Sequence, residues 1–318
     1  MPSSGGFEAS QIPAEAWVRV LTGELPCARC RYNLQGLSIL SVCPECGTPV
    51  RGTILATVDP LAKELSPIHW PAATAGGLIL WAGSLMVAAV AVLGLRVEEV
   101  VAAMGGPDLF STEVLRRVPG LAIAGAGVFA VVFVRPHARI SVLHSLAAAL
   151  ACAAHLPLAY LTWQIFNVVD RASGAPYIAV DPTWGPVRSM LRLGCAACMA
   201  VIILGIRPNG RLLVSRSLLM RTGRVDRQTL LVILAAVGLA SLGDALRLAG
   251  PGLRTDESDL IAGLGGVIIS VGSLLILIGL VGVLIDVVRL RYAIVTPPLH
   301  LDTIAPPVRV EPVKDVVG

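Results

Sequence analysis

Residues 260–285 read LIAGLGGVIISVGSLLILIGLVGVLI, a run of twenty-six with no charge in it. At about 1.5 Å of rise per residue the run is about 39 Å long as a helix, more than the roughly 30 Å of a bilayer's hydrocarbon core. It therefore predicts a membrane span. Gly265, Gly272 and Gly279 recur in it every seven residues. That spacing lines them up on one stripe, where a second helix can approach closely.

Five more apolar stretches precede this one, near Pro71–Leu95, Val118–Val134, Ile140–Trp163, Met190–Ile206 and Thr229–Ala249. The second and fourth sit at the short limit for a span, about 17 residues. Composition agrees with all six. The chain is 55% hydrophobic and 14% charged with a mean hydropathy of +0.78, whereas a soluble domain is about a quarter charged. Disordered, collagen-like and disulfide-framed chains are excluded. Aromatics make up 4%, too few for nucleic-acid stacking platforms. The expected fold class is an all-α polytopic membrane protein with about six transmembrane helices.

Orientation follows from Lys and Arg near the span ends. Met1 to Ile12 holds no basic segment followed by an apolar one, so no signal peptide is expected. With the N-terminus inside, 17 basic residues fall on the inner side and 8 on the outer. The expectation is a multi-pass protein of the cell's inner membrane with both termini cytoplasmic. Pro13–Leu21 could add two helical turns.

Four of the seven cysteines form two C-x-x-C pairs, Cys27/Cys30 and Cys43/Cys46. Two residues between sulfurs let one turn of backbone present both thiolates to one ion, and a second turn completes a tetrahedron suited to zinc. A reducing compartment argues against disulfides, and a redox dithiol pair is the alternative. Gly47 follows the second pair, where a left-handed backbone turns amides toward sulfur. Four thiolates would leave a metal no open position, so a structural ion rather than a catalytic one is expected.

The stretch Cys27, Cys30, Tyr32, Asn33, Leu34, Gly36, Leu37, then Cys43, Pro44, Cys46, Gly47 resembles the zinc ribbons at the head of uncharacterised prokaryotic multi-pass membrane proteins, with their CxxCGYNLxGL and CPxCG motifs. The resemblance covers Pro26 to Gly52 and implies a small N-terminal β zinc ribbon of two hairpins holding one zinc. Tyr32, Leu34, Leu37, Ile39, Leu40 and Val42 would form its core. Arg31 stands where the pattern has Gly, and an Arg held at positive φ costs about 1 kcal/mol. The expected organisation is a flexible segment over 1–24, the ribbon over 25–55, a linker over 56–70, the six-helix bundle over 71–292 and a loose Pro-rich cytoplasmic tail over 293–318.

Within the spans, Cys195/Cys198 and Cys152 read as small packing residues. His144 and His155 lie eleven residues apart, within about 20° of one face. They could line a polar path, but an interfacial His144 and a His155 bonded to a neighbouring helix is preferred. Asp244/Arg247 and Asp286/Arg289 read as interfacial ion pairs. Pro208-Asn209-Gly210 reads as a turn opening an Arg-rich segment, Arg207–Arg227, that suits contact with anionic lipid. No catalytic constellation is visible, so no enzyme is expected.

Two functions remain. One is a membrane-anchored binding or assembly module whose ribbon docks a cytoplasmic protein partner. The other is a transporter or permease-like bundle with a regulatory zinc ribbon. Nucleic acid is not expected as a partner: Glu24 and Glu45 dilute Arg29, Arg31 and Arg51.

Overall fold

The computed structural model describes residues 20–59, 65, 67–107, 111–173, 181, 183–215, 229–249, 255–296, 299, 300 and 304. The chain divides into two compact units, Met1–Leu65 with Pro297–Gly318, and Ser66–Thr296.

The larger unit is helical and carries six helices long and apolar enough to cross a membrane. In chain order after α1 (Val50–Thr57) they are α2 (Pro71–Ala103), α3 (Thr112–Phe129, with a 3₁₀ turn Ala130–Phe133), α4 (Val142–Gln164), α5 (Gly185–Val214), α6 (Thr229–Ala249) and α7 (Thr255–Val295). A π turn, Ile165–Val169, and a last turn, Asp170–Ser173, extend α4. Each helix packs on the next, and α7 returns to α2, so the six close into a ring. The bundle is a multi-pass membrane architecture.

The two short spans turn out ample. α3 with its 3₁₀ turn runs 22 residues and α5 runs 30. The turn expected at Pro208-Asn209-Gly210 does not form, because these residues lie inside α5. The Asn209 side chain is fully buried there. Its amide donates to the carbonyl of Phe133 at 2.7 Å and to that of His144 at 3.3 Å. It thereby serves carbonyls at neighbouring helix ends, and burial in protein is what lets a Pro sit within such a helix. Of the segment Arg207–Arg227, residues 216–227 lie outside those described; Arg207 and Arg211 sit on the last turns of α5.

Close packing in the ring depends on glycine. A Cβ at Gly272 of α7 would lie 2.8 Å from both Cβ and N of Ala240 on α6, and one at Gly265 would lie 2.7 Å from the Gly243 carbonyl. Gly279 faces Ile233 of the same helix. The heptad stripe is thus the α6–α7 contact face.

The smaller unit holds no strand among its described residues. It has isolated antiparallel bridges, Val20 with Ser38, Pro26 with Asn33 and Val42 with Pro49. The β ribbon expected from the resemblance is therefore not formed as strands. Its core differs too. Leu34 is buried as expected and Leu37 and Ile39, partly buried, pack against the core, but Tyr32, Leu40 and Val42 are exposed. The buried set is Leu21, Leu25, Leu34, Val50, Val58 and Ile304, with Cys27 and Cys43.

The domain limits shift accordingly. Val20 and Leu21, read as flexible or helical, are extended: Val20 bridges Ser38, and the Leu21 amide donates to the Leu37 carbonyl. Residues 1–19 lie outside those described. α1 occupies the end of the expected ribbon and the start of the expected linker. The segment read as a loose tail begins inside α7, and two of its later residues join the small unit. The Asp59 amide donates to the Leu299 carbonyl at 2.9 Å, and the Thr22 amide to that of Ile304 at 2.9 Å. The physical reason is size: so short a head cannot bury enough apolar surface from its own residues.

Candidate metal centre

Two nearly identical turns, sixteen residues apart, build the cysteine site. In the first, the Cys27 amide donates to the Tyr32 carbonyl at 2.8 Å and the Arg31 amide to the Cys27 carbonyl at 3.0 Å. In the second, the Cys43 amide donates to the Thr48 carbonyl at 2.8 Å and the Gly47 amide to the Cys43 carbonyl at 2.9 Å. Arg31 and Gly47 are equivalent positions, and both are left-handed, with φ of 65° and 68°. The sequence expectation for each is met.

These turns bring four sulfurs together. The Sγ atoms of Cys27, Cys30, Cys43 and Cys46 all lie within 4.8 Å of one another. Cys27 and Cys46 are 3.6 Å apart, Cys30 and Cys43 3.5 Å. A tetrahedral ion with metal–sulfur bonds of about 2.3 Å would space its ligands by about 3.8 Å. The four cysteines therefore fit a metal ion in both donor type and spacing.

The backbone also prepares the charge. Amides of Cys30 and Arg29 aimed at the Cys27 sulfur, helped by the Cys46 and Cys30 thiols, lower its pKa to about 6 despite burial. The Thr48 hydroxyl, 3.1 Å from the Cys46 sulfur, and the Thr48 amide lower that thiol too. At Cys30 the Tyr32 amide lowers the pKa, but burial and the sulfurs of Cys46, Cys43 and Cys27 outweigh it and push the thiol up to about 12. Without a cation Cys30 keeps its proton; a divalent ion would replace it. Helix α1 steadies the first turn through buried Thr53, whose Oγ1 accepts from the Ala28 amide at 3.4 Å. Sequence reading missed Thr48 and Thr53. The signal for Thr48 is its place two residues after the last cysteine.

The bundle's polar groups cluster differently from the sequence expectation. His155 is fully buried, as a bonded histidine. Its Nε2 accepts from the Trp81 indole at 3.3 Å, and its Nδ1 lies 2.9 Å from the Ala151 carbonyl. Both ring nitrogens are thus engaged. His144 is exposed. Asp244 takes its ion-pair partner from another helix, Arg192 of α5, at 3.2 Å, while Arg247 donates to the Ala262 carbonyl. Asp170 holds both Arg188 at 2.8 Å and Arg96 at 3.3 Å, and Arg96 also meets Glu99 at 2.7 Å. Sequence reading counted Arg188 and Arg192 only among the eight basic residues of the outer side. Their i, i+4 spacing on α5 was the signal that one face carries both. Between the six helices lies a cavity of about 900 Å³, mostly apolar, reaching from His155 to Arg96 and Asp244.

Fold and site together define a multi-pass membrane protein with a four-cysteine cluster in a small N-terminal unit. No protein-family model, curated protein or solved structure matches the chain.

Proposed function

We propose that the small unit is a zinc-holding docking module, anchored by the six helices on the cytoplasmic face of an inner membrane, with both termini inside. The observation that carries this is the convergence of four sulfurs at tetrahedral spacing. A closed thiolate set supplies folding rather than chemistry. Zinc is favoured over other ions by the all-sulfur donors and by a reducing compartment, the side that the basic-residue count supports. Exposed Tyr32, Leu40 and Val42 give the module an apolar surface for a protein partner.

The test measures metal in the purified chain and, in cells, crosslinking from a photo-reactive residue at position 40. One zinc per chain is expected, lost in Cys43→Ser and retained in Cys195→Ser. A crosslink from position 40 to a cytoplasmic protein should disappear with Cys43→Ser. Absence of zinc, or zinc that leaves with Cys195→Ser, overturns the reading.

The cavity favours a second reading, a permease-like bundle that takes up a ligand from the membrane, with the metal-holding unit as its regulator. A fluorescent reporter that leaks from vesicles only when the bundle is present would support it.

A further inference from the structure

We propose that the space between the six helices binds a zwitterionic amphiphile, with its apolar body in the cavity and an N–H-bearing head on Asp244. This inference stands apart from the docking reading, since it uses only the helical bundle.

The cavity follows from the ring. Six helices with neighbouring axes about 9 Å apart put each axis about 9 Å from the centre, and a helix with side chains has a radius of about 5 Å, so about 4 Å of radius stays unfilled. Along α2 and its C-cap the lining runs from Trp81 to Met104, and the space, about 900 Å³, is partly open at its side. It is large for a ligand pocket, which typically spans about 300–1,000 Å³.

Its walls choose an apolar body. Leu85, Val92, Ile123, Leu158, Ile202 and Val237 line it from five of the helices. Side chains facing a void lose contacts on that side, and water does not settle in an apolar cavity. An occupant that fills the length of the column restores those contacts.

The far end chooses the head. Arg96, Glu99, Arg192 and Asp244 all line the cavity there, two charges of each sign. A net anion would meet Glu99 and Asp244, and a net cation would meet Arg96 and Arg192. A head with both charges can face both. Asp244 supplies the specific signal. Its side chain is 4% exposed, its Oδ2 is held by Arg192 at 3.2 Å and the Ser189 side chain hydrogen-bonds the carboxylate as well, while its buried Oδ1 makes no hydrogen bond. A buried carboxylate oxygen is costly without a donor. An ammonium N–H of the ligand would meet it, with the ligand's phosphate toward the guanidinium groups.

The experiment compares lysophosphatidylethanolamine with lysophosphatidylcholine of the same chain length, by equilibrium binding to the full-length protein in detergent. Both are zwitterions, but only the first has N–H donors. The ethanolamine lipid should bind about tenfold more tightly, the effect of one charge-assisted hydrogen bond. Asp244→Asn should bring the two to within about threefold. Ala88→Phe adds a ring to a buried cavity wall; it should weaken both lipids alike and keeps the test open if Asp244→Asn does not fold. Failure of both lipids to bind, equal binding of the two to the wild type, a preference that survives Asp244→Asn, or binding untouched by Ala88→Phe would each overturn the proposal.

Discussion

Replacing Gly272 by Ala adds one methyl group to the α6–α7 contact, and the structure says what that methyl meets. Its position is 2.8 Å from the Ala240 Cβ, 2.8 Å from the Ala240 nitrogen and 3.0 Å from the Ala236 carbonyl oxygen. Non-bonded carbons prefer about 3.5–4.0 Å, and two of these neighbours are backbone atoms of a regular helix. They cannot swing aside as a side-chain tip would, so the helices must part by several tenths of an ångström. Overpacking of this kind costs about 1–3 kcal/mol. Against it stands up to about 1 kcal/mol of helix propensity gained by removing a glycine. Gly263, on the same helix, has nothing within 4 Å of its would-be Cβ, so Gly263→Ala keeps the gain and escapes the cost. Thermal unfolding in detergent should separate the two variants by several degrees, at about 2–4 °C per kcal/mol for a domain of this size. Gly272→Ala should fall below wild type and Gly263→Ala should match or exceed it. Gly272→Leu should fall further. If both alanine variants move together, the stripe does not form the contact described.

Arg31→Gly should strengthen the small unit by about 0.5–1 kcal/mol, because the strain at φ 65° exceeds the added freedom of the unfolded chain; slower metal loss to a chelator measures it, and Arg31→Ala, which keeps the Cβ, should not share the gain. Metal binding should release protons and tighten as the pH rises: Cys27, depressed to about 6, is already a thiolate at neutral pH, whereas Cys30, pushed up to about 12, must give up its proton to the ion; zinc affinity that does not change with pH contradicts this. Ile304→Ala should cost about 2–4 kcal/mol, as large-to-small changes in a core do, and should hasten proteolysis of residues 20–59 while leaving the bundle intact. Unchanged proteolysis would remove Ile304 from that core.

The spans were legible because length and lack of charge are sufficient for them: a 30 Å slab imposes a minimum run, and six runs meet it. The glycine stripe was legible for a similar reason, since a seven-residue period fixes a face without reference to a partner. Closure of the ring was not. It depends on α7 reaching α2, and no local period in either helix encodes that contact. The ends of α5 were misread because Pro208 and Gly210 signal a turn in isolation, whereas the buried Asn209 amide secures a continued helix through the Phe133 and His144 carbonyls.

At the cysteine site the legible part is the covalent spacing. Two residues between sulfurs, and glycine or its substitute after each pair, dictate the turn whatever surrounds it. Half of the core around that turn was misassigned, and the error has one source. Reading Tyr32, Leu40 and Val42 as buried assumes strands that alternate inward and outward. Here the two turns use up the chain so quickly that only single bridges form between them. Without an extended ladder no alternation exists, and burial passes to Leu21, Val50, Val58 and Ile304 from outside the motif. The same logic governs the bundle's charges. Arg192 and Asp244 stand 52 positions apart on different helices, so each taken alone is a charge near a span end. Their pairing beside an apolar cavity exists only once the ring has closed, which is why the best candidate for a ligand-facing carboxylate carries no motif.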